Sequence, residues 1–301
     1  MAGAPVIRTE ALTKRYGKRR GVEDVTFEVN RGEVFGFLGP NGAGKTTTMR
    51  TLLDFLRPTS GRAELFGIDS RDGSVEIHPR IGYLPGELAL YDRMTGEDCL
   101  RYLAALRGGV RWERVRELVV RLGADVEARV GALSHGNKQK IGVIQAFMHD
   151  PELLVLDEPT NALDPLVQYE VHGLIREANS AGRTVFLSSH ILPEVEALCD
   201  RVGIIREGHL ATVEHIAALK ERALRRLEIH FADPIPEAEF RALDGVRDLL
   251  VEDKVLRCTV AGSLDEVIKA AARHTVVNVV SAEPGLEEIF LAFYGESERA
   301  S

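Results

Sequence analysis

Residues 39–46 read Gly39-Pro40-Asn41-Gly42-Ala43-Gly44-Lys45-Thr46, the pattern G-x-x-x-x-G-K-[ST]. Its glycines let consecutive backbone N–H groups converge on phosphate oxygens. Lys45 can reach the β and γ phosphates, and the Thr46 hydroxyl can face Mg²⁺. The apolar run Glu33-Val-Phe-Gly-Phe-Leu38 precedes the loop and reads as a buried strand, and a helix-like run, 45–56, follows it. A strand feeds the loop, and a helix N-terminus then faces the anion. Residues 39–46, with Thr47 in the first helical turn, are the expected nucleotide contacts.

Outward from this loop, strand and helix signals alternate to about residue 205. Ile81-Gly-Tyr-Leu84, Glu152-Leu-Leu-Val-Leu156, Thr184-Val-Phe-Leu187 and Val202-Gly-Ile-Ile205 are short apolar runs. Between them, Thr95-Gly-Glu-Asp98 resembles a capping box opening a helix to Leu106. Residues 112–122 and 138–148 are amphipathic, and Pro165 suits the first turn of a helix towards Ala178. This alternation predicts an α/β fold with a mostly parallel sheet, whose ligands bind at the carboxyl ends of strands. The stretch 6–29 alternates like antiparallel strands. Past residue 222 the pattern changes. Strands are expected at 227–231, 255–260 and 276–280. Ser263-Leu-Asp-Glu266 reads as a capping box for a helix to Arg273, and Pro284 opens a last helix, 285–294. The expected domains are 1–222, carrying the loop, and 223–301, a small α+β domain without catalytic residue types, read as a packing or dimerisation module.

Four further elements follow the loop. The apolar strand Leu153-Leu-Val-Leu156 ends in Asp157 and Glu158. The first carboxylate suits Mg²⁺; the second can orient or deprotonate a water in line with the γ-phosphate. Leu133-Ser134-His135-Gly136-Asn137 opens a helix and offers a second anion site. Asn161-Ala-Leu-Asp164 follows the carboxylates. Ser188-Ser-His190 ends the next strand and brings an imidazole to the same sheet edge.

Together these residues resemble the ATP-binding cassette family of transport ATPases, over roughly residues 6–220. The resemblance implies a P-loop NTPase sandwich with a mostly parallel core sheet, an N-terminal antiparallel β subdomain and a helical subdomain. It implies ATP and Mg²⁺ as ligands, with Tyr16 stacking on adenine and Thr46 and Asp157 holding the metal. Glu158 is the implied catalytic carboxylate and His190 the switch histidine. Ser134 to Asn137 match the signature that contacts ATP on the opposite subunit, and Asp164 matches the subunit-crossing loop. A second, identical ATPase subunit and separate membrane permease subunits are the implied partners. The chain would then sit peripherally on the cytoplasmic face of the cell membrane.

Two departures stand out. The common signature is Leu-Ser-Gly-Gly-Gln, whereas this chain has His135 and Asn137. Gly86 stands where the family usually has a Gln that coordinates Mg²⁺ and couples to the transporter; Glu87 or a water are the candidate replacements.

The tail Pro284-Gly-Leu-Glu-Glu-Ile-Phe-Leu291 resembles the end of daunorubicin-resistance-type ATPase subunits of ABC-2 multidrug and antibiotic exporters. Two rivals are weighed. A cassette acting on DNA or ribosomes resembles chains with two cassettes or a long coiled-coil insertion, and here only residues 46–133 separate Lys45 from Ser134. An importer ATPase with a regulatory C-terminal domain fits the tail less well. The formal net charge of −8 also weighs against a nucleic-acid partner. No run of 18 apolar residues exists, and residues 1–5 lack a charged-then-apolar signal pattern. Cys99, Cys199 and Cys258 are odd in number and lack a CxxC pair, which predicts reduced packing residues of a cytoplasmic protein.

Overall fold

The computed structural model describes residues 4–17, 19–222 and 225–282. Packing divides the chain between residues 214 and 215. The sequence suggested a break at 222. The packing instead groups the helix Ile216–Arg222 with the second unit.

In the first unit, β1 (Ile7–Tyr16) and β2 (Arg19–Val29) pair antiparallel. Adding β4 (Ser60–Leu65) and β5 (Ile68–Asp69) gives a sheet of order β2-β1-β4-β5. The second sheet contains β3 (Val34–Leu38), β6 (Ile81–Leu84), β7 (Leu153–Asp157), β8 (Thr184–Ser189), β9 (Arg201–Arg206) and β10 (His209–His215). Its order is β10-β9-β3-β8-β7-β6. Its β9-β3-β8-β7-β6 pairs are all parallel. Every residue of β3, β7 and β8 is buried. Covering both faces explains why these strands read as continuous apolar runs rather than alternating ones. Phe27 of β2 stacks on Phe35, Phe37 and Phe186, with ring centroids 5.5, 5.5 and 5.7 Å away, and so ties the two sheets into one core.

The helices of this unit are α1 (Lys45–Leu52), α2 (Ser74–Ile77), α3 (Gly96–Leu106), α4 (Trp112–Leu122), α5 (His135–Phe147), α6 (Pro165–Ser180) and α7 (Leu192–Leu198). Thr95 caps α3 by accepting from the Asp98 N–H, as its sequence predicts. Helix α1 stops four residues short of the expected Leu56. Asp54 turns left-handed at φ 55°, and the Phe55 and Leu56 N–H groups fold back onto the Arg50 carbonyl. All three cysteines are buried and free.

The second unit runs α8 (Ile216–Arg222), β11 (Arg225–Phe231), α9 (Glu237–Arg241), β12 (Val246–Glu252), β13 (Val255–Val260), α10 (Asp265–Ala271) and β14 (Val276–Ala282). From β11 onward this is βαββαβ. The sheet order is β12-β13-β11-β14, with the pairs antiparallel. That is a split βαβ, or ferredoxin-like, arrangement. Phe231, Phe240, Leu256 and Val267 lie in its core. Strand β12 escaped the sequence reading because a bulge between Arg247 and Leu250, with Asp248 at φ 49°, interrupts its alternation. The expected box at Ser263 is not a cap. Its hydroxyl accepts from the Asp265 N–H, two residues on, and α10 starts at Asp265 and ends at Ala271 rather than Arg273. The expected helix 285–294 and the exporter-like tail lie outside the described residues.

Candidate active site

Strand β3 delivers the loop and α1 receives it. Gly44 caps α1 with φ 112°, a left-handed conformation that a side chain strains to adopt. A Cβ there would also stand 2.5 Å from Val22 Cγ1. Glycine therefore lets β2 press against the loop, and no side chain caps the first turn of α1. The N–H groups at this end are left for an anion. Pro40, Asn41 and Gly42 are exposed, Gly39 and Ala43 are buried, and Thr46 and Thr47 are half-buried.

Lys45 is 5% exposed. Its ammonium donates to the Gly39 carbonyl at 2.7 Å and the Pro40 carbonyl at 3.2 Å, and lies 3.3 Å from Glu158 Oε1. Thr46 Oγ1 donates to Asp157 Oδ2 at 2.6 Å, and Ser188 Oγ donates to Asp157 Oδ1 at 2.5 Å. A hydroxyl and a carboxylate side by side form an all-oxygen donor set. Among the described residues no three His, Cys, Asp or Glu side chains gather as a metal cage. This suits Mg²⁺, which typically takes one or two protein ligands and completes its shell with phosphates and water. A Cβ on Gly86 would stand 3.0 Å from Asp157 Oδ2, so the departure from the family Gln falls at this donor pair. Glu87 is exposed.

Glu158 sits just past the end of β7 with φ 51°, a strained backbone for a residue with a side chain. The conformation is held by its N–H, which donates to the Ser188 carbonyl and hydroxyl at 3.3 and 3.1 Å. Its Oε2 lies 3.2 Å from His190 Nδ1, whose side chain is 42% exposed. The fold thus gathers Lys45, Thr46, Asp157, Glu158 and His190 into one cluster.

Three expected contacts lie around this cluster. The Tyr16 ring is 46% exposed at the end of β1. It lies against Gly21, where a Cβ would be 2.9 Å from its ring, and Gly21 in turn backs onto Gly44. Ser134 caps α5 by accepting from the Asn137 N–H, and His135 is exposed. The Asn137 amide bonds both backbone groups of Asp125, so it braces a loop instead of facing outward. A Cβ on Gly136 would stand 2.7 Å from the Ala162 carbonyl, and Asp164 caps α6 through the Leu166 and Val167 N–H groups. Among the described residues no hydrogen bond or ion pair joins residues 134–137 to the loop 39–46.

The sequence reading missed three supporting side chains. Ser188 orients Asp157 and Glu158. Buried Gln139 donates to the Glu158 and Pro159 carbonyls, both at 3.2 Å. Buried Glu194 accepts from Thr160 and Ser189. Ser188 was legible as the polar end of β8; Gln139 and Glu194 carry no local signal.

The family model described as "ABC transporter" matches residues 22–161. The bacitracin transport ATP-binding protein BcrA of Enterococcus faecalis is 34% identical over 297 residues, covering 96% of both chains. The chain belongs to the ABC transporter family. It is an ATPase of that family, an ATP-binding subunit. A fluoroquinolones export ATP-binding protein of Mycobacterium tuberculosis is 33% identical over 303 residues, covering 97% of this chain and 94% of that one. A solved ATP-binding subunit of an ABC transporter superposes with a TM-score of 0.65 at 30% identity, covering 71% of this chain and 92% of that one. The α/β sandwich seen here is the P-loop fold expected from the sequence.

Proposed function

We propose that this ABC ATPase powers export of an antibiotic or other drug through a separate membrane permease. The observation that carries the reading is the likeness to drug-transport ATP-binding subunits along 96% of the chain, past the cassette and through the second unit. In this reading the Lys45 ammonium and the N–H groups opening α1 hold the phosphates, and Tyr16 stacks on adenine. Thr46 and Asp157 would hold Mg²⁺, which when bound supplies Lewis-acid stabilisation of the phosphate charge. Glu158 accepts a proton from the attacking water, and His190 positions the same oxygens. Both lie at the edge where β7 and β8 end. Residues 134–137, with no bond to their own loop, would complete the site of a second, identical subunit in a head-to-tail dimer.

The permease would dock at an open cleft of about 350 Å³ lined by Leu53, Phe55, Tyr83, Pro85, Leu88 and Leu103. Tyr83 and Pro85 belong to the segment carrying Gly86, so the cleft adjoins the Asp157 donor pair. Among the described residues no helix is long and apolar enough to cross a membrane, so a cytoplasmic-face, peripheral placement would depend on that permease. Affinity capture of the full chain from gently solubilised membranes tests the reading. A polytopic membrane protein should co-purify; recovery of ribosomes or nucleic acid instead would favour the non-transport alternative.

A further inference from the structure

Behind the cluster lies a buried carboxylate that the chemistry above does not use. Glu194, in the first turn of α7, is 6% exposed. Its two oxygens face different loops. Oε1 accepts from the Thr160 hydroxyl at 2.7 Å, and Oε2 accepts from the Ser189 hydroxyl at 2.6 Å. His172 of α6 approaches Oε1 at 3.2 Å. Thr160 is two residues beyond Glu158, and Ser189 immediately precedes His190. Ser189 Oγ also accepts from the Ile191 N–H at 2.9 Å, so it brackets His190 from both sides. The Gln168 side chain joins the Thr160 and Leu163 carbonyls, extending the tie towards Asp164.

Burying a carboxylate is costly unless its oxygens are satisfied. Burial pushes the Glu194 carboxyl up, and bonds from His172, Ser189 and Thr160 more than offset this, leaving it below its ordinary value. A valine or isoleucine could fill the space without that cost. What an apolar residue could not do is bond both loop ends at once.

We propose that Glu194 is a positioning residue that clasps the loops after β7 and β8 and so fixes the 3.2 Å spacing of Glu158 and His190. The proposal rests on the reading of that pair as the hydrolytic groups. Misplacing a catalytic group by about 1 Å can cost on the order of 10²-fold in rate. The side-chain bonds of the clasp go to Thr160, Ser189 and His172 and not to the loop 39–46. The one link of that loop to the clasp is the Gly39 N–H, which donates to the Ser189 main-chain carbonyl at 3.4 Å. Loss of the Glu194 carboxylate should therefore appear mainly in kcat rather than in KM.

The test is steady-state ATP hydrolysis by the full chain with Glu194→Ala, Glu194→Gln, Thr160→Val and Ser189→Ala. Glu194→Ala should lower kcat at least about tenfold with KM for ATP within about twofold, and Glu194→Gln, which keeps an acceptor, should recover part of the loss. In a His190→Ala background, Glu194→Ala should cost less than in the wild type, because one of the two groups whose spacing it fixes is gone. Thr160→Val and Ser189→Ala leave the carboxylate in place and serve where Glu194→Ala fails to fold; each should lower kcat several-fold. An unchanged kcat in these variants, with only the melting temperature reduced, would make the clasp structural and overturn the proposal. Equal losses with and without His190 would overturn it too. Undiminished turnover by a Glu158→Gln chain with Glu194 intact would instead overturn the underlying reading.

Discussion

The Lys45 ammonium lies 3.3 Å from the Glu158 carboxylate, so the one buried cation of the phosphate loop is paired with the candidate base. Nucleotide phosphates must compete with Glu158 for that cation. Replacing Glu158 by Gln removes the competitor's charge. ATP affinity of Glu158→Gln should therefore rise by a few-fold, since an ion pair of this kind is worth about 1 kcal/mol or more when partly buried. Fluorescent-nucleotide titration without Mg²⁺ checks this; weaker binding than wild type would show that the two charges do not compete.

Lys45→Ala should weaken ATP binding by about tenfold or more. It removes the charge-assisted contact to the phosphates and also the bonds from Nζ to the Gly39 and Pro40 carbonyls that brace the loop. An unchanged dissociation constant would rule out this loop as the phosphate site.

At Gly86 a side chain would point at Asp157, its Cβ 3.0 Å from Oδ2. Gly86→Gln should supply an amide oxygen beside the Thr46–Asp157 pair and lower the Mg²⁺ concentration needed for half-maximal ATPase activity, while Glu87→Ala should barely change it. A large rise in Mg²⁺ requirement for Glu87→Ala, with none of the expected gain for Gly86→Gln, would give the role to Glu87.

Burial, reinforced by the nearby Arg107 guanidinium, holds the His149 imidazole down at about 4. The unfolded chain takes up this proton near the ordinary value of about 6.5. Between those values the unfolded state binds more protons, so stability falls as pH drops through this window and levels off below it. The effect is at most about 3 kcal/mol. His149→Gln keeps a donor for the Ile81 carbonyl but does not titrate. Urea midpoints at about pH 7 and about pH 5 should show wild type losing more stability than the variant. Equal losses would mean that His149 protonates as readily when folded.

Contiguous features were legible in the sequence. Strands 81–84 and 255–260 and helix 112–122 have the bounds expected, because their apolar pattern runs unbroken to a turn. The loop 39–46 and the Asp157–Glu158 pair were legible because the chemistry demands adjacent residues. What the sequence hid is whatever depends on left-handed backbone or on distant partners. The bulge at Asp248 concealed β12, and the turn at Asp54 shortened α1. Glu158's strained backbone is held by Ser188, thirty positions on, which no local pattern announces. Glu194 reads as one acid among many until its two oxygens are seen to meet Thr160 and Ser189.

The central claim is that Glu158, held between Lys45 and His190, performs ATP hydrolysis. It is tested most directly by phosphate release from the purified full chain under saturating MgATP, wild type against Glu158→Gln, with bound nucleotide quantified in the same samples. The amide keeps size and hydrogen bonding but cannot accept the proton, so turnover should fall by about 10²–10⁴ while nucleotide stays bound. The trapped species should also scatter light as an ATP-dependent dimer. Undiminished phosphate release by Glu158→Gln would contradict the account and move the base elsewhere in the site.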